Sequence, residues 1–343
     1  MLRREEALEL LAGPDLIAAG MAAGAVRQKL HPEGVATYII DRNINYTNVC
    51  TDACTFCAFW RPPDHAESYV LDRETLCQKI RETLELGGTG ILMQGGLHPG
   101  LKIDWYEDLL RSAKERFRVH LHCFSSPEIL NIAQVSGLSL RDTIARLRDA
   151  GLDSIPGGGA EILDDEVRRR ISRLKCSTAE WLEVHRVAHQ LGLRSTATMM
   201  FGCGETLAQR VNHLEAIRRL QEETGGFTAF IPWTFQHRRT ALGRVVTEEV
   251  TAVDYLKTLA VSRLYLENID NLQASWVTQG LKICQVALRF GANDVGSIMI
   301  EENVVRATGV ANRATEEELR RIIRDAGFVP RQRDTLYRCW RLN

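Results

Sequence analysis

The sequence predicts an α/β fold: a (β/α)8 TIM-type barrel with helices added in front and a helix with a tail behind. Three observations predict it. First, a block of amphipathic helix, glycine and apolar strand recurs as "LCQKIRETLELGGTGILMQGG" (76–96), "LRDTIARLRDAGLDSIPGGG" (140–159) and "WLEVHRVAHQLGLRSTATMMFG" (181–202). Second, eight candidate strands lie near 42–47, 90–94, 118–124, 153–156, 195–201, 227–232, 270–275 and 285–290. Third, polar, glycine-rich segments follow several of them: "QGGLHP", "SSPE", "GGGAE", "GCGET" and "GANDVGS". Alternating strand and helix implies parallel strands with right-handed crossovers. Eight such units close a barrel whose C-terminal rim carries the site. The last two strands are weakly marked, so an open six-stranded barrel with a C-terminal extension is the alternative.

The elements follow in order. Residues 1–35 read as an N-terminal helical extension. Acidic residues and Pro14 break its apolar run, so it is not an export signal. "LIAAGMAAGAV" (16–26) is too short to span a bilayer as a helix, and a cytoplasmic protein is expected. Residues 36–312 form the barrel, with a cysteine segment at 48–60. Leu76, Ile80 and Leu84 share one helical face, as do Ile144 and Leu147. Gly87, Gly151 and Gly192 stand where a helix takes a left-handed terminal residue. Ser177 with Glu180, and Thr315 with Glu318, read as capping boxes. Residues 313–343 supply a last helix and a basic tail.

The chain has 343 residues, 45% hydrophobic and 25% charged, as expected of a globular domain with a large core. Its 43 basic and 44 acidic side chains leave a formal charge of −1, so no net positive field favours nucleic acid or an anionic membrane. Nine cysteines is an odd count and fits no full disulfide framework. Six are scattered: Cys77, Cys123, Cys176, Cys203, Cys284 and Cys339 read as buried small hydrophobes.

The other three, Cys50, Cys54 and Cys57, fall within eight positions of "NVCTDACTFCAFW". Iron–sulfur clusters are held by cysteine thiolates, and four close the site. Three leave one iron of a 4Fe-4S cube without a protein ligand. Two alternatives stay open. Zinc could recruit His65 or Cys77 as a fourth ligand, or a distant cysteine could close an electron-carrier site.

Cys-x3-Cys-x2-Cys with an aromatic, Phe56, before the last cysteine resembles the radical S-adenosylmethionine superfamily. The resemblance implies that Cys50, Cys54 and Cys57 hold a 4Fe-4S cluster whose open iron chelates S-adenosyl-L-methionine. It further implies an external one-electron donor such as flavodoxin or ferredoxin. Over nearly the whole chain, "DRNINYTNVC", "IPGGGAEI", "ATMMFG", "ETGGFTAFIPWTFQ", "NLQASWVTQGLKICQVALRFGANDVGSIMIEENVV" and "QRDTLY" resemble the cyclic dehypoxanthine futalosine synthases of the futalosine route to menaquinone. This implies dehypoxanthine futalosine as substrate, hydrogen abstraction at ribose C4′ and closure onto the aryl ring. The runners-up are aminofutalosine synthase and the deazaflavin (F0) synthases. The sequence departs from the pattern at Cys203–Gly204, His237–Arg238 and Cys123, all outside the cysteine segment.

Site roles follow from position and resemblance. Gln94, Gly95 and Gly96 are candidates for the methionine amino group, and Glu161 for ribose hydroxyls or that amino group. Phe56 and Met200 are candidates to pack near the adenine. Trp233 is expected as an apolar wall. His122, Ser125, Glu128, Gln236, Asn293 and Asp294 are candidate substrate contacts. His98, Glu161 and Asp294 are candidate catalytic groups. Each has a plainer reading, as a turn, a helix cap or core packing.

Overall fold

Two helices open the chain, α1 (Arg4–Ala12) and α2 (Leu16–Leu30). The computed structural model describes the backbone of residues 2–341 and the side chains of residues 2–338, so the Cys339 thiol lies outside the described residues. Asp15 caps α2 by accepting from Ala18 N. Arg27 is buried near its end and donates to the carbonyls of Ala292 and Val35. Burial without a carboxylate partner holds this guanidinium at about 10. It ties the N-terminal helices to the barrel.

The first long strand is split into β1 (Val35–Ile39) and β2 (Asp41–Ile44). After the cysteine segment come α3 (Arg73–Glu85), β3 (Gly90–Met93), α4 (Ile103–Arg116), β4 (His120–Cys123), α5 (Ser126–Ser136), α6 (Leu140–Ala150) and β5 (Ser154–Ile155). Then follow α7 (Asp165–Ile171), α8 (Thr178–Gln190), β6 (Arg194–Phe201), α9 (Leu207–Thr224), β7 (Phe227–Thr234), α10 (Ala252–Tyr265) and β8 (Asn271–Leu272). The chain continues through α11 (Trp276–Ala287), β9 (Asp294–Ser297), α12 (Glu316–Asp325), β10 (Val329–Arg333) and β11 (Cys339–Arg341).

Strands β2 to β8 form one curled parallel sheet in sequence order. Strand β9 bridges the β8 end of this sheet to β1. Ala274 N, just past β8, donates to Asp294 O, and Ile298 N donates to Ile39 O in β1. The ring therefore closes through β1, which runs on into β2. Beside β1 lies parallel β10, with antiparallel β11 at its edge. The tail after α12 thus joins a second, four-stranded sheet.

The helix–glycine–strand reading holds in detail. Gly87, Gly151 and Gly192 all have positive φ, and the Ser177–Glu180 and Thr315–Glu318 capping boxes form. Two expectations need correction. The first strand begins at Val35, earlier than its polar segment suggested. The strand expected at 285–290 is the end of α11 and the turn after it, with Cys284, Ala287 and Leu288 buried at helical spacing. The eighth strand is "DVGS", too short and polar to signal itself. Among the described residues, no helix is long and apolar enough to cross a membrane.

Candidate active site

A cavity of about 400 Å³ lies inside the barrel. Asp41, Asn43 and Asn45 line one wall, on alternate positions of β2 and the residue after it, as strand geometry requires. Thr196, Thr198 and Trp233 line the opposite side, and Arg333, Thr335 and Tyr337 from the C-terminal tail contribute too. Cys50, Cys54 and Cys57 face the same space together with Phe56.

Backbone bonds fix the cysteine segment on both sides. Cys50 N donates to Arg61 O (3.0 Å), Thr51 N to Leu97 O (3.1 Å) and Cys57 N to Cys54 O (3.1 Å). Arg61 Nη1 donates to the carbonyls of Ala58, Phe59 and Trp60, pinning the end of the loop. Gly96 packs on its start: a Cβ there would stand 2.1 Å from Val49 O and 2.8 Å from Cys50 Cβ. No larger residue fits that approach.

The donor set suits an iron–sulfur cluster better than zinc. Among the described residues, no three His, Cys, Asp or Glu side chains converge closely enough to hold a single ion. A cube of four irons and four sulfides spreads its ligands apart. The zinc candidates lie elsewhere. His65 is exposed, with Nδ1 accepting from Glu67 N, and Cys77 is buried beside Arg116. Burial pushes all three loop thiols up, Cys54 to about 12. A coordinated cation reverses this, because a ligating thiol is deprotonated outright.

Next to the cysteines stands a buried ion pair. Lys175 Nζ lies 2.5 Å from Glu161 Oε1, with side-chain exposures of 11% and 5%. The ammonium also sits 5.0 Å from the centre of the Phe56 ring. Burial opposes the Lys175 charge, but the Cys54 and Glu161 charges outweigh it and hold its pKa above the ordinary lysine value. Glu161 has φ +42°, a left-handed conformation that costs a non-glycine residue about 1–2 kcal/mol. Its carbonyl accepts from Met200 N, which helps hold the strain. Such strain concentrates at functional sites.

The other expected residues separate into three groups. Gln94, Gly95 and Gly96 line the cavity, and Gly95 N donates to Glu128 Oε1. Glu128 and Ser125 line it as well, but Glu128 also accepts from Tyr46 OH, Ser125 N and Ser125 Oγ. Glu128 thus braces the glycine loop and caps α5. His122 lines the cavity with Nδ1 2.6 Å from Ser154 Oγ. Burial, with His120 and Arg333 nearby, lowers its pKa to about 3 and keeps it neutral. Trp233 borders both the main cavity and a smaller recess, which Met200 and Gln236 line.

His98, Asn293 and Asp294 do not line the cavity. His98 Nδ1 accepts from Gly100 N. Asn293 Oδ1 accepts from Arg263 and Leu272 N, and its Nδ2 donates to Asn271. Asp294 is fully buried and takes bonds from Thr37, Gly296 N and both Nε and Nη2 of Arg333. The polar atoms of Asn293 and Asp294 are consumed inside the protein, which corrects the expectation that they reach substrate, and half-buried His98 lies outside the cavity lining.

Sequence reasoning missed Asp41, Asn43, Lys175, Arg333 and Tyr337. Asp41 Oδ1 and Asn43 Oδ1 are buried against the cavity without a hydrogen-bond partner. The signal was available for two of them: Asp41 and Asn43 alternate within "DRNIN", so they share one strand face.

Comparisons agree with this geometry. The model of the radical SAM superfamily matches residues 44–217, and that of the CofH/MqnC C-terminal region matches 224–342. The cyclic dehypoxanthine futalosine synthase of Halalkalibacterium halodurans is 48% identical, covering 98% of this chain and 90% of its own. That of Streptomyces coelicolor is 44% identical, covering 97% and 84%. A 5-amino-6-(D-ribitylamino)uracil–L-tyrosine 4-hydroxyphenyl transferase of Methanothermobacter thermautotrophicus is also 44% identical, covering 98% and 94%. In fold, the chain is similar to methylornithine synthase, with TM-score 0.73 at 18% identity, covering 96% and 94%. It is also similar to a maturase of the [FeFe]-hydrogenase, with TM-score 0.76 at 14% identity, covering 96% and 72%.

Proposed function

The chain belongs to the radical SAM superfamily, and from that premise we propose that it cyclises dehypoxanthine futalosine for menaquinone synthesis in the cytoplasm. The observation that carries the chemistry is one cavity with three cysteines and a Lys175–Glu161 pair facing the polar wall of Asp41 and Asn43. The 44–48% identity to cyclic dehypoxanthine futalosine synthases supports the choice of reaction.

Cys50, Cys54 and Cys57 would hold a 4Fe-4S cluster with one open iron. Gln94, Gly95, Gly96, Glu161 and Phe56 would receive S-adenosyl-L-methionine, with the Lys175 cation facing its carboxylate. When bound, the pair would supply the one-electron chemistry for hydrogen abstraction at ribose C4′ and closure onto the aryl ring. The remaining work belongs to the chain. Asp41 and Asn43 offer acceptor oxygens without protein partners, which suit ribose hydroxyls. Trp233 walls the aromatic end and excludes water. Neutral His122 is held by Ser154 and orients rather than donates a charge. Restoring aromaticity releases a proton and an electron, and that electron would return to the centre held by Cys50, Cys54 and Cys57, which gave one to start the reaction. Asp41 is our choice for the proton, since burial raises its carboxyl to about 6.

The test is anaerobic incubation of reconstituted, reduced protein with S-adenosylmethionine and dehypoxanthine futalosine. Mass spectrometry should find 5′-deoxyadenosine and a product two hydrogens lighter than substrate. The similarity to 4-hydroxyphenyl transferases supports a second reading. Turnover of tyrosine with 5-amino-6-(D-ribitylamino)uracil, and none of dehypoxanthine futalosine, would replace the first reading with it.

A further inference from the structure

The Lys175–Glu161 pair is held from behind. Arg168, on α7, is 3% exposed and does not line the cavity. Among the described residues, the bonds of its guanidinium end on three residues. Nη1 donates to Ala160 O (2.5 Å) and Gly159 O (3.2 Å), and Nη2 also reaches Gly159 O (3.2 Å). On the other side, Nε and Nη2 donate to Cys176 O at 2.8 and 2.5 Å. Ala160 directly precedes Glu161, and Cys176 directly follows Lys175. One rigid fork therefore spans the backbone of both members of the pair.

The neighbouring carbonyls have other holders. Gly157 O accepts from Thr198 Oγ1, Gly158 O from Trp181 Nε1 and Glu161 O from Met200 N. Of these donors, only Arg168 also bonds to the backbone of the turn that carries Lys175. The left-handed backbone at Glu161 persists only where its surroundings over-determine it, and the Ala160 carbonyl just before it is one of the fixed points. The same helix reaches the cysteine segment, since Ile171 O accepts from Thr55 N and Thr55 Oγ1 at 3.0 and 2.7 Å. A buried cation is costly unless its hydrogen bonds are satisfied. Here they are satisfied on the two segments whose spacing the pair needs.

We propose that Arg168 is a positioning residue for S-adenosylmethionine: it sets the separation of Glu161 and Lys175, and so the fit of the cofactor's amino-acid end, without touching the cofactor. The inference rests on the reading above that this pair receives S-adenosylmethionine. Lysine does not replace Arg168. Its ammonium is a point charge on a flexible stem, and it lacks the planar fork that reaches two backbone segments at once.

The experiment measures S-adenosylmethionine binding to reconstituted protein by equilibrium dialysis, in a cycle of R168K, K175M/E161Q and the triple variant. Iron content and urea unfolding are read on each. R168K should keep its iron and bind S-adenosylmethionine about tenfold or more weakly. In the K175M/E161Q background the same change should weaken binding by less than about twofold, because the groups it positions are gone. A loss that only reflects a weaker fold would be equal in both backgrounds. R168A is the second variant, and guanidinium well below denaturing concentration should restore its affinity by refilling the vacated space. Methylammonium at the same concentration should not. Unchanged affinity in R168K, an equal loss in both backgrounds, or equal rescue by the two cations overturns the proposal. If K175M/E161Q itself binds as tightly as the unaltered protein, the reading of the pair as a cofactor site fails instead, before Arg168 is tested.

Discussion

Arg333 grips Asp294 at two points, Nε to Oδ2 at 2.6 Å and Nη2 to Oδ1 at 2.9 Å, with both side chains buried. Arg333 comes from the C-terminal tail and Asp294 from the eighth strand of the ring, so the pair fastens the tail to the barrel. Removing one partner leaves an uncompensated buried charge. R333M should lower unfolding stability by about 3–5 kcal/mol, and the double variant R333M/D294N by less. Urea unfolding of the metal-free protein measures this. A loss in R333M below about 1 kcal/mol would rule out a structural role for the pair.

Iron content tests the cysteine assignment. C50A, C54A or C57A should each abolish the brown cluster, whereas C77A and C284A should retain it. Neither Cys77 nor Cys284 lines the cavity. G96A should also lose most of its iron, because its Cβ would displace Val49 O and Cys50. G100A is the control, since its nearest contact is 3.5 Å from His98 Cε1. Equal iron in G96A and G100A would show that the glycine loop does not set the cysteine segment.

The Lys175–Glu161 pair predicts a split between binding and folding. K175M should weaken S-adenosylmethionine binding by about tenfold or more, as expected for losing a charged contact. It also strands Glu161 in the interior, so unfolding stability falls. K175M/E161Q should recover stability without recovering affinity. Equilibrium dialysis and urea unfolding read the two quantities separately, and recovery of both together would exclude a cofactor contact.

Asp41 predicts a pH limb. As a proton acceptor it must be ionised, so product formation should fall as pH drops through about 6, where burial places its carboxyl. D41N should still form 5′-deoxyadenosine while product falls by about 100-fold or more. Its residual rate should be flat across that limb. A retained limb in D41N would move the proton to another group.

Much of the fold was legible because it repeats. Each helix–glycine–strand block carries its own period and its own left-handed terminus, so Gly87, Gly151 and Gly192 marked three helix ends directly. The cysteine spacing was legible because three thiols so close have few other uses. What escaped has physical causes. "DVGS" is four residues long and its Asp294 is neutralised by a partner about 40 residues later, so no apolar pattern announces it. Lys175 and Arg333 sit in basic stretches that read as solvated, and only the tertiary fold pairs them inside. Asn293 and Asp294 were misplaced for the complementary reason. Polar residues after a strand suggest a rim, but here their bonds are spent within the walls.

The split first strand orders events in time as well as in space. Thr37 Oγ1 donates to Asp294, 257 residues further along, and Val35 pairs with Val329. Its first half, β1, therefore lacks its neighbours until β9 and β10 have been made, whereas β2, which leads into the cysteine segment, meets β3 early. Contacts of such long range close late. The thiols are among the first parts of the site to be synthesised, and the ring around them is among the last to close. A chain stalled before residue 294 would leave β1 without β9 and β10, and the ring open beside the strand that carries on to the cysteines.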